Sequence, residues 1–184
     1  MRASRLRHLL LAVVCSAAPG LSAGAAAAPL VLDSPSGLTV VTVDVSSGRP
    51  VYAVSFGGRE VIRLSALGLG LEGAPRLDAG FAVVRHARDA ARSAWRPPYG
   101  ERSEYPDRYN ALTVELRETL PPGRTLVVSF RAYDEGVALR YEVPEQPGLA
   151  AFVIGDETTE FRLPAGTYGW ETARAPPPYR RVAI

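Results

Sequence analysis

Between Leu112 and Val143 apolar residues recur at every second position, and this spacing restricts the fold more than any other feature of the chain. Leu112, Val114 and Leu116 alternate with Thr113, Glu115 and Arg117. Leu126, Val128, Phe130 and Ala132 alternate with Val127, Ser129, Arg131 and Tyr133. Val137, Leu139, Tyr141 and Val143 alternate with Ala138, Arg140 and Glu142. Successive side chains of a strand point to opposite faces, so each run turns one apolar face to a core; a helix would need a repeat near 3.6. Pro121-Pro122-Gly123 separates the first two runs. Asp134-Glu135-Gly136 separates the last two, as a tight turn in which Gly136 is expected at positive φ.

The rest of the chain keeps the same period. Leu38 to Val45 is apolar on both faces, which predicts a strand covered on both sides. Ser46-Ser47-Gly48-Arg49-Pro50 is a turn, Val51–Phe56 a strand, and Gly57-Gly58 turns into a strand over Glu60–Leu64. Leu67, Leu69 and Leu71 alternate with Gly68 and Gly70. Each glycine would cost a helix about 1 kcal/mol, so a strand is expected whose glycines admit a second backbone. Phe81–Ala87 is a further strand, and Ala87–Ala94 is the one segment that suits a short helical turn. Ala151–Ile154, Thr158–Leu163 and Gly166–Trp170 are the last extended stretches. Many short strands separated by Gly/Pro turns predict an all-β sandwich or barrel.

The two ends differ from this middle. Residues 1–27 read as a signal peptide, with Arg2, Arg5 and Arg7, an apolar Leu9–Val14 stretch, then small residues and an expected cut between Ala25 and Ala28. The apolar stretch is short of the roughly 20 residues a bilayer span needs, so no membrane attachment is expected after cleavage. Cys15, the single cysteine, falls inside this segment, and a lipoprotein reading is poor because Val14 sits where a small residue is wanted. The remaining chain of about 155 residues suits one domain and has no disulfide, cysteine ligand or thiol nucleophile. It carries 18 arginines and no lysine against 19 acidic residues, a net charge of −1. The arginines are scattered and form no phosphate-binding stripe, so no nucleic-acid partner is expected. A secreted, bacterial periplasmic or extracellular protein is implied. The segment 171–184, with Pro176-Pro177-Pro178, reads as an irregular tail.

Four ordered stretches carry a resemblance. They are Leu32-Asp33-Ser34-Pro35-Ser36-Gly37 with Gly48-Arg49-Pro50-Val51-Tyr52 and Leu67-Gly68-Leu69; Trp95-Arg96-Pro97-Pro98-Tyr99-Gly100-Glu101 with Arg108-Tyr109-Asn110-Ala111-Leu112; Phe130 through Glu142; and Phe152-Val153-Ile154 with Glu160-Phe161 and Trp170. Together they resemble the N-terminal domain of glycoside hydrolase family 97 over residues 29–170. The resemblance implies a β-supersandwich of mostly antiparallel strands, of the galactose-mutarotase-like type. In full-length members a (β/α)8 catalytic barrel and a C-terminal β domain follow, and those enzymes are calcium-dependent α-glucosidases and α-galactosidases. Two departures stand out. The second Trp of the family's Trp-x-Pro-x-Trp-Gly-Glu pattern is Tyr99. The acidic segment that supplies a calcium ligand after Trp170 is replaced by Glu171-Thr172-Ala173-Arg174, so that role is not carried to Glu171. The chain reads as a member truncated before its barrel, with that barrel as the missing partner, an α-glycoside as a possible ligand and no cofactor of its own.

No catalytic constellation is expected. Glycoside hydrolysis needs two placed carboxylates, one raised in pKa, and Glu115, Glu142 and Glu160 alternate outward as solvated faces. His86 stands alone, short of the three or four ligands zinc takes, and there is no Gly-x-Ser-x-Gly. The segment Trp95–Asn110 is the richest in binding chemistry and reads as a long loop. Trp95, Tyr99 and Tyr109 can stack on sugar rings, while Glu101, Arg102 and Asn110 can bond hydroxyls; Trp170 joins them. The same mixture also docks a neighbouring domain or staples a loop to a sandwich, and both readings stay open. The function expected is therefore a carbohydrate-associated, non-catalytic module, or else a structural remnant that docks on a separate partner chain, or a broken-gene product without function.

Overall fold

The computed structural model describes residues 28–172 and 178–184. The signal-like segment with Cys15 and most of the tail's prolines lie outside the described residues. Those described form strands and no helix. The strands are β1 Leu30–Asp33, β2 Thr39–Asp44, β3 Val51–Phe56, β4 Arg59–Ala66, β5 Leu69–Leu71, β6 Phe81–Trp95, β7 Tyr105–Glu118, β8 Thr125–Tyr133, β9 Gly136–Glu142, β10 Ile154–Glu157, β11 Tyr168–Glu171 and β12 Arg180–Ala183.

Two antiparallel four-stranded sheets make the sandwich, in the orders β1-β2-β3-β4 and β6-β7-β8-β9. The alternation read from the sequence sets which face is buried. Leu112, Val114 and Leu116 of β7 and Leu126, Val128, Phe130 and Ala132 of β8 are almost wholly shielded from water. Leu32, Val41, Val43, Tyr52 and Val54 supply the facing layer. Tyr52 packs on Phe130 with ring centroids 5.8 Å apart and donates its hydroxyl to the Glu160 carbonyl at 2.9 Å. Leu67, Leu69, Leu71 and Leu77 belong to the same core. On β2 only Thr39, Val41 and Val43 are buried. Val40 and Thr42 are half-buried, so the expected covering of both faces is not met.

The glycine-spaced strand does what its spacing implies. Short β5 pairs with β10, and a Cβ on Gly68 would come within 2.6 Å of the Asp78 Cβ and 2.7 Å of the Thr158 hydroxyl oxygen. Residues 158–163 are not a regular strand. They run beside β4 through single bonds, the Glu160 N–H to the Ala66 carbonyl at 2.9 Å and the Arg63 N–H to the Arg162 carbonyl at 2.7 Å.

Three further expectations are corrected. Ala87–Ala94 is not a helical turn: it lies inside β6, where every residue from Arg85 to Trp95 has a partner on β7. Its alanines favour a helix in isolation, but the pairing offered by β7 decides the conformation. The Trp95–Asn110 loop is much shorter than expected, since Tyr105–Asn110 belongs to β7. The tail is not wholly irregular, because β12 pairs with β11 from Tyr168↔Ala183 to Glu171↔Arg180. Gly136 also departs from expectation. It is absent from the glycines at positive φ, and a Cβ there would meet nothing within 4 Å.

These two glycines give a paired prediction. Gly68→Ala should lower stability by about 1–3 kcal/mol, the usual cost of overpacking against a backbone that cannot withdraw. Gly136→Ala should change it by less than about 0.5 kcal/mol. Urea denaturation followed by circular dichroism measures both.

Candidate functional site

The richest cluster of sequence-predicted residues is built on the β6–β7 hairpin. β8 accompanies β7 only from Asn110 to Arg117. Beyond Asn110, Ala91–Trp95 of β6 and Tyr105–Tyr109 of β7 pair with each other alone. At about 3.3 Å per residue they form a two-stranded arm roughly 16 Å long that runs past the sheet.

The arm's tip is held by its own side chains. Trp95 and Tyr105 are directly opposite partners, and their rings stack with centroids 4.9 Å apart and planes 15° from parallel. The Arg102 guanidinium lies 5.9 Å from the Tyr105 ring centroid. Arg96 Nε donates to Glu104 Oε2 at 2.9 Å, closing the two sides of the tip. Tyr99, Glu101 and Arg102 project from the connecting residues 96–104. Tyr99 is 87% exposed, and Trp95 is 54% exposed despite its stack.

Tyr109 and Asn110 lie at the arm's base and are engaged within the fold. The Arg131 guanidinium sits 4.4 Å from the Tyr109 ring centroid, and Tyr133 packs on the same ring at 5.3 Å. Tyr133 donates its hydroxyl to Asp107 Oδ1 at 3.3 Å. Asn110 Nδ2 donates to the Asp33 carbonyl at 2.7 Å, and its Oδ1 accepts from Arg92 at 3.0 Å. Asn110 therefore ties the arm to β1. Tyr109 also lines a shallow depression of about 340 Å³ on the outer face of the second sheet, together with Asp89, Thr113, Ser129, Arg131 and Arg140. Trp170 belongs to neither group. It stands on β11 opposite Arg181, 70% exposed. The structure thus gathers Trp95, Tyr99, Glu101 and Arg102 at one tip, places Tyr109 and Asn110 at its root, and leaves Trp170 on a separate ribbon.

Several acidic residues are tied to an arginine or a main-chain N–H, and Asp78 and Asp156 share Arg76. Glu115 pairs with Arg85 at 2.8 Å and Glu142 with Arg140 at 3.2 Å. Glu160 accepts from the Ala66 N–H at 3.0 Å, and Glu171 accepts from Arg180 Nε at 2.6 Å. The Arg124 guanidinium bonded to Glu118 holds that carboxyl below the ordinary range. Hydrogen bonds from Ser36 hold Asp134 below it too. Both shifts run opposite to the one a glycosidase proton donor needs. Among the described residues, no three His, Cys, Asp or Glu come together as a metal site.

Sequence reasoning missed one buried feature. Arg124 and Glu118 form a nearly enclosed pair, with Arg124 Nε donating to Glu118 Oε2 at 2.9 Å. Arg124 also donates to the carbonyls of Pro75 and Arg76, at 2.7 and 3.2 Å. The available signal was a Glu ending one apolar run and an Arg opening the next, across Pro121-Pro122-Gly123.

The architecture is that of an all-β sandwich domain carrying an aromatic-tipped arm. Comparison with known proteins gives the family. Residues 32–180 match the family model for the glycosyl-hydrolase 97 N-terminal domain, and the chain belongs to that family. Over 128 residues it is 32% identical to a probable retaining alpha-galactosidase of Streptomyces bingchenggensis, covering 70% of this chain and 19% of that protein. Over 161 residues it is 25% identical to a retaining alpha-galactosidase of Bacteroides thetaiotaomicron, covering 88% of this chain and 22% of that one. A glycoside hydrolase family 97 enzyme of a Pseudoalteromonas species, solved with panose, superposes with a TM-score of 0.76 at 31% identity; the match covers 84% of this chain and 24% of the enzyme. A beta-arabinopyranosidase superposes with a TM-score of 0.70 at 28% identity, over 79% of this chain and 23% of that one. The chain spans about a fifth to a quarter of the length of these relatives.

The tip geometry is open to direct measurement. Trp95 and Trp170 are the chain's two tryptophans, and both are more than half exposed. Acrylamide should quench both readily, with red-shifted emission in the single variants Trp95→Phe and Trp170→Phe. Blue-shifted, shielded emission from Trp170→Phe would contradict the arm described above, and the same from Trp95→Phe would contradict the exposure of Trp170 on β11.

Proposed function

We propose that this chain is a non-catalytic, carbohydrate-associated module, the N-terminal sandwich of a family 97 type glycosidase system, and that the arm tip is its contact surface. The observation that carries the reading is the arm itself. It lifts Trp95, Tyr99, Glu101 and Arg102 clear of the sandwich, with aromatic faces for sugar rings and charged groups for hydroxyls. The relatives support the substrate class: related family 97 enzymes were solved with panose and with acarbose, and two further relatives are a retaining and a probable retaining alpha-galactosidase.

A second reading has its own support. Trp95 gives one face to Tyr105, and the tip extends well past the sheet. A projecting aromatic tip of this kind also suits docking against a neighbouring domain such as a catalytic barrel, since aromatics are enriched at protein interfaces. In that reading Trp95 and Tyr99 insert into the barrel's surface and contribute to sugar contact only indirectly.

One set of experiments separates these readings. The purified chain should not turn over an aryl α-glucoside or α-galactoside. Turnover that survives repurification and is lost on mutating a carboxylate of this chain would refute the non-catalytic assignment. NMR titration with an α-linked glucose trisaccharide should shift resonances of the arm tip with a millimolar-range Kd of the kind expected for one or two stacked rings. Tyr99→Ala combined with Arg102→Ala, which leaves the Trp95–Tyr105 stack in place, should weaken the shifts while the circular dichroism spectrum is unchanged. Absence of any tip response, with tight binding to an isolated family barrel instead, would favour docking. Calorimetric titration with calcium should give no stoichiometric heat, whereas a sub-micromolar isotherm would overturn the metal-free reading.

A further inference from the structure

The free edge of β9 is a second interaction surface, and its chemistry selects its partner. The Glu118 N–H donates to the Arg124 carbonyl at 2.9 Å, so the even-numbered residues of β7 and β8 bond one another across that ladder. In an antiparallel sheet the bonding direction alternates along each strand, and the odd-numbered residues of β8 must therefore bond β9. Their partners run from Gly136 opposite Tyr133 to Glu142 opposite Val127. Gly136, Ala138, Arg140 and Glu142 consequently direct their N–H and C=O groups to β8. Val137, Leu139 and Tyr141 direct theirs outward. Among the described residues no strand pairs with this edge.

The side chains flanking the edge are not neutral. Arg140 and Glu142 lie on the outer face, both exposed, and pair with each other at 3.2 Å. Val137, Leu139, Tyr141 and Val143 turn inward and line an apolar groove of about 610 Å³, whose other wall includes Phe152, Ile154 and Phe161. Phe161 is 65% exposed and Ile154 53%.

We propose that β9 pairs antiparallel with β9 of a second copy of this chain, about a two-fold axis at Tyr141. The charges pick this register. With Tyr141 opposite its mate, Arg140 of each copy faces Glu142 of the other, and both pairs occupy the closely spaced, non-hydrogen-bonded positions where opposite charges help most. Leu139 then faces the second copy's Val143 on the groove side, and the outward N–H and C=O groups of Leu139, Tyr141 and Val143 complete the ladder. Pairing centred on Arg140 would set arginine against arginine. Pairing centred on Glu142 would set glutamate against glutamate. Pairing centred on Leu139 leaves both charges opposite Ala138 and Gly136. An interface of this kind is isologous, so a single sequence feature must be self-complementary, and Arg140-Tyr141-Glu142 is.

The test is a charge swap read by sedimentation equilibrium on the purified chain. The native chain should be a dimer at micromolar concentration. Arg140→Glu places like charges opposite each other twice per interface and should weaken dimerisation about tenfold or more. The double variant Arg140→Glu with Glu142→Arg restores opposite charges in reversed order and should restore the dimer. Both positions are on the exposed face, and circular dichroism checks that each variant folds. A monomeric native chain, a dimer indifferent to Arg140→Glu, or a double variant no tighter than the single one would each overturn the proposal. Monomer would mean that Arg140 and Glu142 instead guard the edge, or that a strand of another polypeptide covers it. Because this surface is separate from the arm tip, Trp95→Ala should leave the dimer intact, so failure of the sugar reading and failure of this one remain distinguishable.

Discussion

The inner face of the β7–β8 pair sets the conditions under which everything else in the molecule is placed. Seven apolar side chains, from Leu112 to Ala132, are removed almost entirely from water there. Each larger one contributes about 1.5–3 kcal/mol relative to exposure. A slip of one residue in β7 would turn Thr113, Glu115 and Arg117 inward, and one in β8 would turn Ser129 and Arg131 inward, so the register has a single acceptable value. That register is then passed to the neighbours. β9 receives it through the tight turn at Asp134-Glu135. β6 receives it with little burial of its own, since Phe81 is its one fully buried residue.

This dependence explains the polarity of the arm. The Phe81 end is anchored several times over: the Phe81 N–H reaches the Gly48 carbonyl at 2.9 Å, the Thr119 N–H reaches the Gly80 carbonyl at 2.8 Å, and Arg124 reaches back to Pro75. At the other end Asn110 and Arg88 tie the sheet to the main chain of β1, through Asp33 and Val31. Beyond Asp107, which Tyr133 still reaches, the hairpin continues on its own main-chain bonds, the Trp95–Tyr105 stack and the Arg96–Glu104 pair. An isolated two-stranded ribbon is marginal in water. Here it is stable enough to project because one end is built into a sheet and the other is closed by an aromatic pair. Such a pair is worth about 0.5–1.5 kcal/mol beyond its area.

What could be read from the sequence follows from where burial decides conformation. β7, β8 and β9 carry their own period of two and were legible, as was the role of Gly68, whose neighbours leave no room for a Cβ. β6 was not legible beyond Ala87. Its run Arg88-Asp89-Ala90-Ala91-Arg92 has no apolar alternation, because neither face is covered, and its extended shape comes wholly from β7. The tip aromatics were visible as residue types, but their separation from Tyr109, Asn110 and Trp170 was not. Asn110 looks the same in sequence whether it bonds a sugar hydroxyl or the Asp33 carbonyl. Glu118 and Arg124 were invisible as a pair because they become neighbours only when the turn between β7 and β8 closes, and their burial depends on the 75–76 segment reaching them.

The same packing dictates where function can reside. An inner space filled by Leu, Val, Phe and Tyr has no room for a sugar, and a carboxylate placed there would have to be desolvated at a cost of several kcal/mol. The acids are accordingly outside or at the rim, several of them drawn to a particular arginine or main-chain N–H. At Glu118 and Asp134 such bonds favour the charged form. A general acid requires the reverse, an apolar surrounding that holds the proton on. The sandwich leaves two kinds of surface exposed. At the arm, side-chain chemistry is exposed while the backbone is satisfied. At β9, no strand among the described residues pairs with the outer edge of the backbone. The first surface offers aromatic rings and charged groups, whereas the second offers main-chain donors and acceptors of the kind an extended chain pairs with.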